Sequence, residues 1–135
     1  MYLDELFGLK GKVAIVTGGG RGIGQVVARG LAKAGAEIVI VSRSGADETI
    51  ALIEADGGKA YHVAADITDQ ASVDTCVEEI LKRSGSIDIL FNNAGICMHQ
   101  STLDATAEEF RQVLDTNLTG AFIMSRAVGK IMIER

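Results

Sequence analysis

The amino-acid sequence predicts a doubly wound α/β domain built on a parallel sheet. Three observations carry that expectation. Short, mostly apolar runs recur at 12–17, 37–42, 59–65 and 87–91, each too short for a helix and rich in the residues of strands buried on both faces. Segments with helical periodicity separate them, long enough for the crossovers that parallel neighbours require. The first run leads directly into Thr17-Gly18-Gly19-Gly20-Arg21-Gly22-Ile23-Gly24. A glycine-rich turn between a strand and a helix brings backbone N–H groups and a positive helix end to one point, which suits a phosphate.

The elements follow in order. Residues 12–17 (KVAIVT) are β-branched and read as the first strand. Beyond the glycines, Ile23, Val26, Val27, Gly30, Leu31 and Ala34 share one helical face, Gln25, Arg29 and Lys33 take the other, and Gly35 suits a C-terminal cap. Residues 37–42 (EIVIVS) form the second strand. Ala46 to Asp56 reads as a short helix stopped by Gly57-Gly58, and 59–65 (KAYHVAA) as the third strand. Thr68 or Asp69 caps a helix whose apolar face is Val73, Val77, Ile80 and Leu81 and which ends at Gly85. Residues 87–91 (IDILF) are the fourth strand. Thr106 and Glu109 have capping-box spacing. From there Phe110, Val113, Leu114, Asn117, Leu118, Ala121, Phe122 and Ser125 are expected on one face of a helix running to the end.

The 135 residues suit a single domain with one core, residues 1–135, and the expected sheet is incomplete at its C-terminal edge because no closing strand follows the last helix. That pattern suggests a fragment. A net charge of −5, with no basic run, argues against a nucleic-acid or membrane-surface partner. The N-terminal dodecapeptide carries early acids and no apolar stretch of signal length, so a cytoplasmic protein is expected. Cys76 and Cys97 show no metal-type spacing, and no metal site is expected.

The glycine loop does not fit the G-x-G-x-x-G dinucleotide spacing in any register: from Gly18, Gly20 or Gly22 the sixth position is Ile23, Gln25 or Val27. Its spacing is T-G-x-x-x-G-x-G, on Thr17, Gly18, Gly22 and Gly24. With Asp66-Ile67 after the third strand, Asn92-Asn93-Ala94-Gly95 after the fourth and Asn117 in the long helix, it resembles the main soluble branch of the short-chain dehydrogenase/reductase family, from Leu9 onward. The resemblance implies a Rossmann-like fold with Gly18, Arg21, Gly22, Ile23, Gly24, Asp66, Ile67, Asn93, Ala94 and Gly95 around a nicotinamide dinucleotide. Asp66 would accept from the adenine amino group; a capping aspartate for the next helix is the other reading. Asn93 would approach the ribose, with Asn92 bracing the strand end. Asn117 would be the catalytic-site asparagine that orders a water; a core asparagine bracing nearby backbone is the other reading, and the two can coexist.

The end of the second strand faces the adenosine ribose, where an acid would bind the 2′-hydroxyl of NAD. Ser42 stands there, followed by Arg43. No carboxylate repels a 2′-phosphate, and Arg43 with Arg21 can meet one, so NADP(H) is expected, with NAD(H) as the alternative.

The family resemblance also implies a serine and a Tyr-x-x-x-Lys pair. The only tyrosines, Tyr2 and Tyr61, are followed four residues later by Leu6 and Ala65. Asn117 is thus the one catalytic-class residue present, and this chain alone would not complete the proton relay. His62, His99 and Cys97 are read as non-catalytic. The expected substrate is a small carbonyl compound or secondary alcohol, with Asn93–Cys97 and Gly129–Glu134 similar to sugar, polyol and sugar-acid dehydrogenases. A homo-oligomer, tetramer or dimer, is implied for the complete protein. The alternatives are a dinucleotide-binding or sensing module without chemistry, and an inactive truncation.

Overall fold

A computed structural model describes residues 1–135. The elements are α1 (Tyr2–Phe7), β1 (Val13–Thr17), α2 (Gly22–Lys33), β2 (Glu37–Ser42), α3 (Asp47–Ala55), β3 (Ala60–Ala64), α4 (Gln70–Ser84) and β4 (Ile89–Phe91). Then come α5 (Ala107–Leu114), a π turn (Asp115–Thr119) and α6 (Gly120–Glu134). The four expected strands are present within two residues of the sequence boundaries. The short helix α1, which buries none of its residues, has no counterpart in the sequence reading.

All strand pairs are parallel and the sheet order is β3-β2-β1-β4. Alternate residues of the central strands serve opposite layers. Val13, Ile15, Val39 and Val41 pack with Val73, Val77 and Ile80 of α4 and with Ile123, Met124 and Val128 of α6. Ala14, Val16, Ile38 and Ile40 pack with Ala28 and Ala32 of α2 and Ile53 of α3. Burial on both faces explains why these strands are continuous apolar runs rather than alternating ones. Because β2 lies on one side of β1 and β4 on the other, the chain reverses direction of travel across the sheet between β1 and β4. Open α/β sheets bind ligands at the carboxyl ends of strands beside such a reversal.

Two helix faces differ from the sequence expectation. In α2 the buried stripe is Gly24, Ala28 and Ala32, whereas Ile23 and Val26 are 75% and 69% exposed. Small side chains let the helix lie close against the sheet, so proximity rather than side-chain size selects the buried face. The face expected to be polar meets α3: Gln25 Nε2 donates to Thr49 Oγ1 at 3.0 Å, and Arg29 pairs with Asp56 at 2.9 Å.

The last helix is likewise not one regular rod. Its start is a full capping box, with Thr106 Oγ1 accepting from Glu109 N and Glu109 Oε2 accepting from Thr106 N. At Asp115–Thr119 the hydrogen bonding widens, and Gly120 N donates to Asp115 O. The extra residue in that turn rotates everything after it. The buried residues of α6 are therefore Gly120, Ile123, Met124 and Val128, while Phe110, Leu114, Leu118 and Phe122 stay exposed. Asn117, expected in the apolar stripe, is itself exposed.

Candidate cofactor cleft at the carboxyl edge of the sheet

β1 ends in Thr17 and the chain turns at once, with Gly18 at φ +65° and Gly22 at φ +58°. Residues with a Cβ rarely adopt these angles, so the two glycines set the path of the loop. Gly24 has a different task. A Cβ there would lie 2.5 Å from Asn93 Nδ2, so only glycine lets the start of α2 come this close to the end of β4. From α3, the buried Thr49 donates from Oγ1 to Gly19 O at 2.8 Å and props the loop from behind.

Thr17 and Asn93 join the two strands at the reversal. Asn93 N and Ala94 N both donate to Thr17 Oγ1 at 3.0 Å. Asn93 Nδ2 donates to Thr17 O at 3.1 Å and to Gly18 O at 3.2 Å. The strand-end brace is therefore Asn93, not the expected Asn92, whose Nδ2 instead reaches Ser125 Oγ of α6 at 2.9 Å. The amide of Asn93 is committed to main chain, which holds the residue at the wall of the cleft.

That cleft has a volume of about 540 Å³ and lies over the carboxyl ends of β1, β2 and β4, within the usual range for a small-molecule site. Gly18, Arg21, Gly22, Ile23, Ser42 and Arg43 line it, as do Asp66, Ile67, Asn93, Ala94 and Gly95. Of the residues singled out in the sequence for cofactor binding, Gly24 alone lies off the lining, buried beneath the loop. Gly20, Val41, Ser44, Gly45, Thr68, Ile96 and Thr116 also line the cleft and were not picked out from the sequence. Their position next to motif residues was the available signal.

The charges suit an anion. α2 begins at the cleft with Arg21 as its N-cap and no side-chain cap, leaving first-turn N–H groups without an intrahelical partner. Neither Arg21 nor Arg43 is ion-paired. At Gly22 a Cβ would meet nothing within 4 Å, so that position is open to the cleft rather than packed. On the far wall, Asp66 Oδ1 accepts from Thr68 Oγ1 at 2.7 Å and Thr68 N at 3.0 Å. The Thr68 hydroxyl, then its N–H, hold the Asp66 carboxyl below its usual range; desolvation opposes them and the positive charge of Arg43 adds to the lowering. The cap of α4 is Asp69, which accepts from Ala71 N, so Asp66 does not serve as that cap.

Asn117 does not line the cleft but holds a residue that does. Its Oδ1 accepts from Ile96 N, and its Nδ2 donates to Ile96 O, both at 2.8 Å. His99 lies 3.6 Å from Cys97 Sγ in the exposed loop after β4. Cys76 is buried in α4, and burial, with Glu79 nearby, pushes its thiol up to about 11. No group of three or more His, Cys, Asp or Glu side chains is placed to hold a metal ion.

A parallel sheet with a glycine-rich βα turn at its reversal and an uncapped helix start is the Rossmann-like arrangement on which open α/β sheets bind dinucleotides. The sequence model of the short chain dehydrogenase family matches residues 12–135, and the chain belongs to that family. It is 40% identical over 134 residues to the 2-dehydro-3-deoxy-D-gluconate 5-dehydrogenase of Formosa agariphila, covering 97% of this chain and 51% of that protein. It is 38% identical to the 3-oxoacyl-[acyl-carrier-protein] reductase of Synechocystis, covering 94% and 53%. Among solved structures, a short-chain type dehydrogenase/reductase from Mycobacterium marinum superposes with a TM-score of 0.94 at 36% identity, over 99% of this chain and 55% of that one. The chain thus spans about half the length of the relatives it matches.

Proposed function

We propose that this chain forms the cofactor-binding half of an NADP(H)-dependent oxidoreductase that interconverts a carbonyl compound and a secondary alcohol. The observation that carries the cofactor choice is the end of β2: Ser42 stands where an acid would select NAD, and Arg43 lies on the cleft outside any ion pair. The bound dinucleotide would supply the hydride. The residues of this chain hold and orient it. The pyrophosphate suits the backbone from Gly18 to Ile23 and the start of α2, the adenine amino group suits the free oxygen of Asp66, and a 2′-phosphate suits Arg43 and Arg21. Ala94 and Gly95 form the wall beside Gly18. Asn117 fixes Ile96, a residue of the cleft wall, and from that position would order a water in the catalytic site.

A sugar, polyol or sugar acid is the proposed substrate class, supported by the sugar-acid dehydrogenase among the relatives; the oxoacyl reductase relative supports a keto-acyl substrate as the second reading. The exposed row Phe110, Leu114, Leu118 and Phe122 supports a homo-oligomer. No helix is long and apolar enough to cross a membrane, in keeping with a cytoplasmic enzyme. The direct test is competitive titration of NADPH and NADH against the protein and its Arg43→Ala variant. A charge-assisted hydrogen bond contributes about 1.5–3 kcal/mol, so the variant should lose about ten- to a hundredfold in preference for NADPH. An unchanged affinity ratio would overturn the assignment.

A further inference from the structure

Ser42 carries more information than the absence of an acid. Its Oγ lies 2.5 Å from Ser44 O, and since a carbonyl oxygen only accepts, the single hydroxyl proton of Ser42 is directed there. His62 of β3 reaches the same serine: its Nε2 is 3.0 Å from Ser42 Oγ and 3.1 Å from Ser42 O. Both oxygens can act only as acceptors toward the ring, because one is a carbonyl and the other has its proton on Ser44. The hydrogen must therefore sit on Nε2, and the hydrogen bonds alone fix the tautomer. The parallel register makes this contact possible, pairing Ile40 with His62 and Ser42 with Ala64, so the half-buried ring lies one step behind the end of β2.

We infer that His62 is a positioning residue for cofactor selection, acting through Ser42 on the 2′-substituent of the adenosine ribose. This rests on the NADP(H) reading above. Ser42 and Ser44 both line the cleft. When a 2′-phosphate enters, the Ser42 hydroxyl turns its proton from Ser44 O to a phosphate oxygen. The Nε2–H of His62 stays on Ser42 Oγ, keeps the oxygen in place and polarises it as a donor, since hydrogen bonds in a chain strengthen one another. Arg43 supplies charge to the phosphate; the His62–Ser42 pair supplies an aligned donor that a 2′-hydroxyl, able to donate as well as accept, does not need. His62 itself does not touch the ligand.

The probes are 2′,5′-ADP and 5′-AMP, which differ only in the 2′-phosphate, titrated against the full chain, His62→Ala and His62→Gln. The expected result is tighter binding of 2′,5′-ADP than of 5′-AMP by the unaltered protein. His62→Ala should weaken 2′,5′-ADP by about two- to tenfold, the size of one hydrogen bond, and leave 5′-AMP within about twofold. His62→Gln, whose side-chain N–H can replace Nε2–H, should restore much of the loss, which a general loss of structure would not allow. Imidazole ¹⁵N shifts should report the Nε2–H tautomer in the free protein. If the unaltered protein prefers 2′,5′-ADP and His62→Ala keeps the full preference, the role of His62 is overturned and the NADP(H) reading stands. If the unaltered protein shows no preference, both fall. Equal weakening of both probes by His62→Ala, or an Nδ1–H tautomer, also overturns the inference.

Discussion

Asn117 and Ile96 exchange two hydrogen bonds, side-chain amide to main-chain amide, each 2.8 Å long. Through this pair the π turn of the last helix holds the segment that leaves β4, and with it one end of the cleft. Gly95 fits against the same side chain, since a Cβ there would lie 3.2 Å from Asn117 Oδ1.

Asn117→Ala should therefore free the loop rather than unfold the domain. The pair is exposed, so the loss of global stability should be about 1 kcal/mol, seen in denaturant titration. Hydrogen exchange at the Ile96 amide should rise far more than exchange in β1. Asn117→Asp keeps the acceptor for Ile96 N but sets a carboxylate against Ile96 O, so it should loosen the loop as well, and more so above the carboxylate pKa than below it. An unchanged Ile96 exchange rate in both variants would rule out this coupling.

The glycines of α2 predict opposite signs for one substitution. At Gly24 a Cβ would meet Asn93 Nδ2 at 2.5 Å and Gly19 Cα at 2.9 Å, backbone and a braced amide that cannot step aside. Gly24→Ala should cost about 1–3 kcal/mol as an overpacked site and weaken nucleotide binding by displacing the loop. At Gly30, six residues along the same helix, nothing lies within 4 Å. Gly30→Ala should stabilise by about 0.5–1 kcal/mol, from helix propensity and a less flexible unfolded chain. Denaturation midpoints of the two variants should move in opposite directions.

These contrasts show what the sequence made legible. Strands buried on both faces must be apolar throughout, so β1 and β2 stood out, and end signals held because their chemistry is local: the Thr106–Glu109 box and Gly85 at φ +79° after α4. The buried faces of α2 and α6 were not legible in the same way. Ala28 and Ala32 are chosen by closeness to the sheet, and the face of α6 is set by one shifted hydrogen bond, Gly120 N to Asp115 O. Residues of the cleft wall that lie inside a motif could be named from the sequence. Thr49, which props the glycine loop, and His62, which fixes Ser42, act across space from other elements, and neither lies within a motif.

Asp66 gives a pH prediction with a definite sign. Its carboxyl is held below the usual aspartate value, first by the Thr68 hydroxyl and then by the Thr68 N–H. A depressed pKa means that the folded state favours the ionised form. The resulting stabilisation is present in full above the unfolded value and is lost as pH falls through the folded one. Asp66 should thus stay ionised, and the proposed acceptance from the adenine amino group should stay constant, from neutral pH down to about 5. Thr68→Ala removes the largest cause, so the Asp66 pKa should move back up toward its usual value. Acid denaturation should then show a smaller loss attributable to Asp66 as pH falls below the ordinary carboxylate value. NMR titration of the Asp66 carboxyl carbon in both proteins checks the direction.

Phe110, Leu114, Leu118 and Phe122 follow one another at four-residue steps and are 53%, 41%, 66% and 60% exposed. Such a ridge is the kind of surface that helices pack against, and a contiguous apolar strip of this kind marks a contact site more often than bare solvent. If a second copy covers the ridge, Leu118→Glu and Phe122→Glu should each shift the light-scattering mass toward the monomer of 14.2 kDa while leaving the circular dichroism of the sheet intact. Ile123→Glu, on the buried side at 9% exposure, should instead lower the denaturation midpoint sharply, because it places a charge in the core. An unaltered protein already monomeric at tens of micromolar would remove the second copy as the occupant of this face.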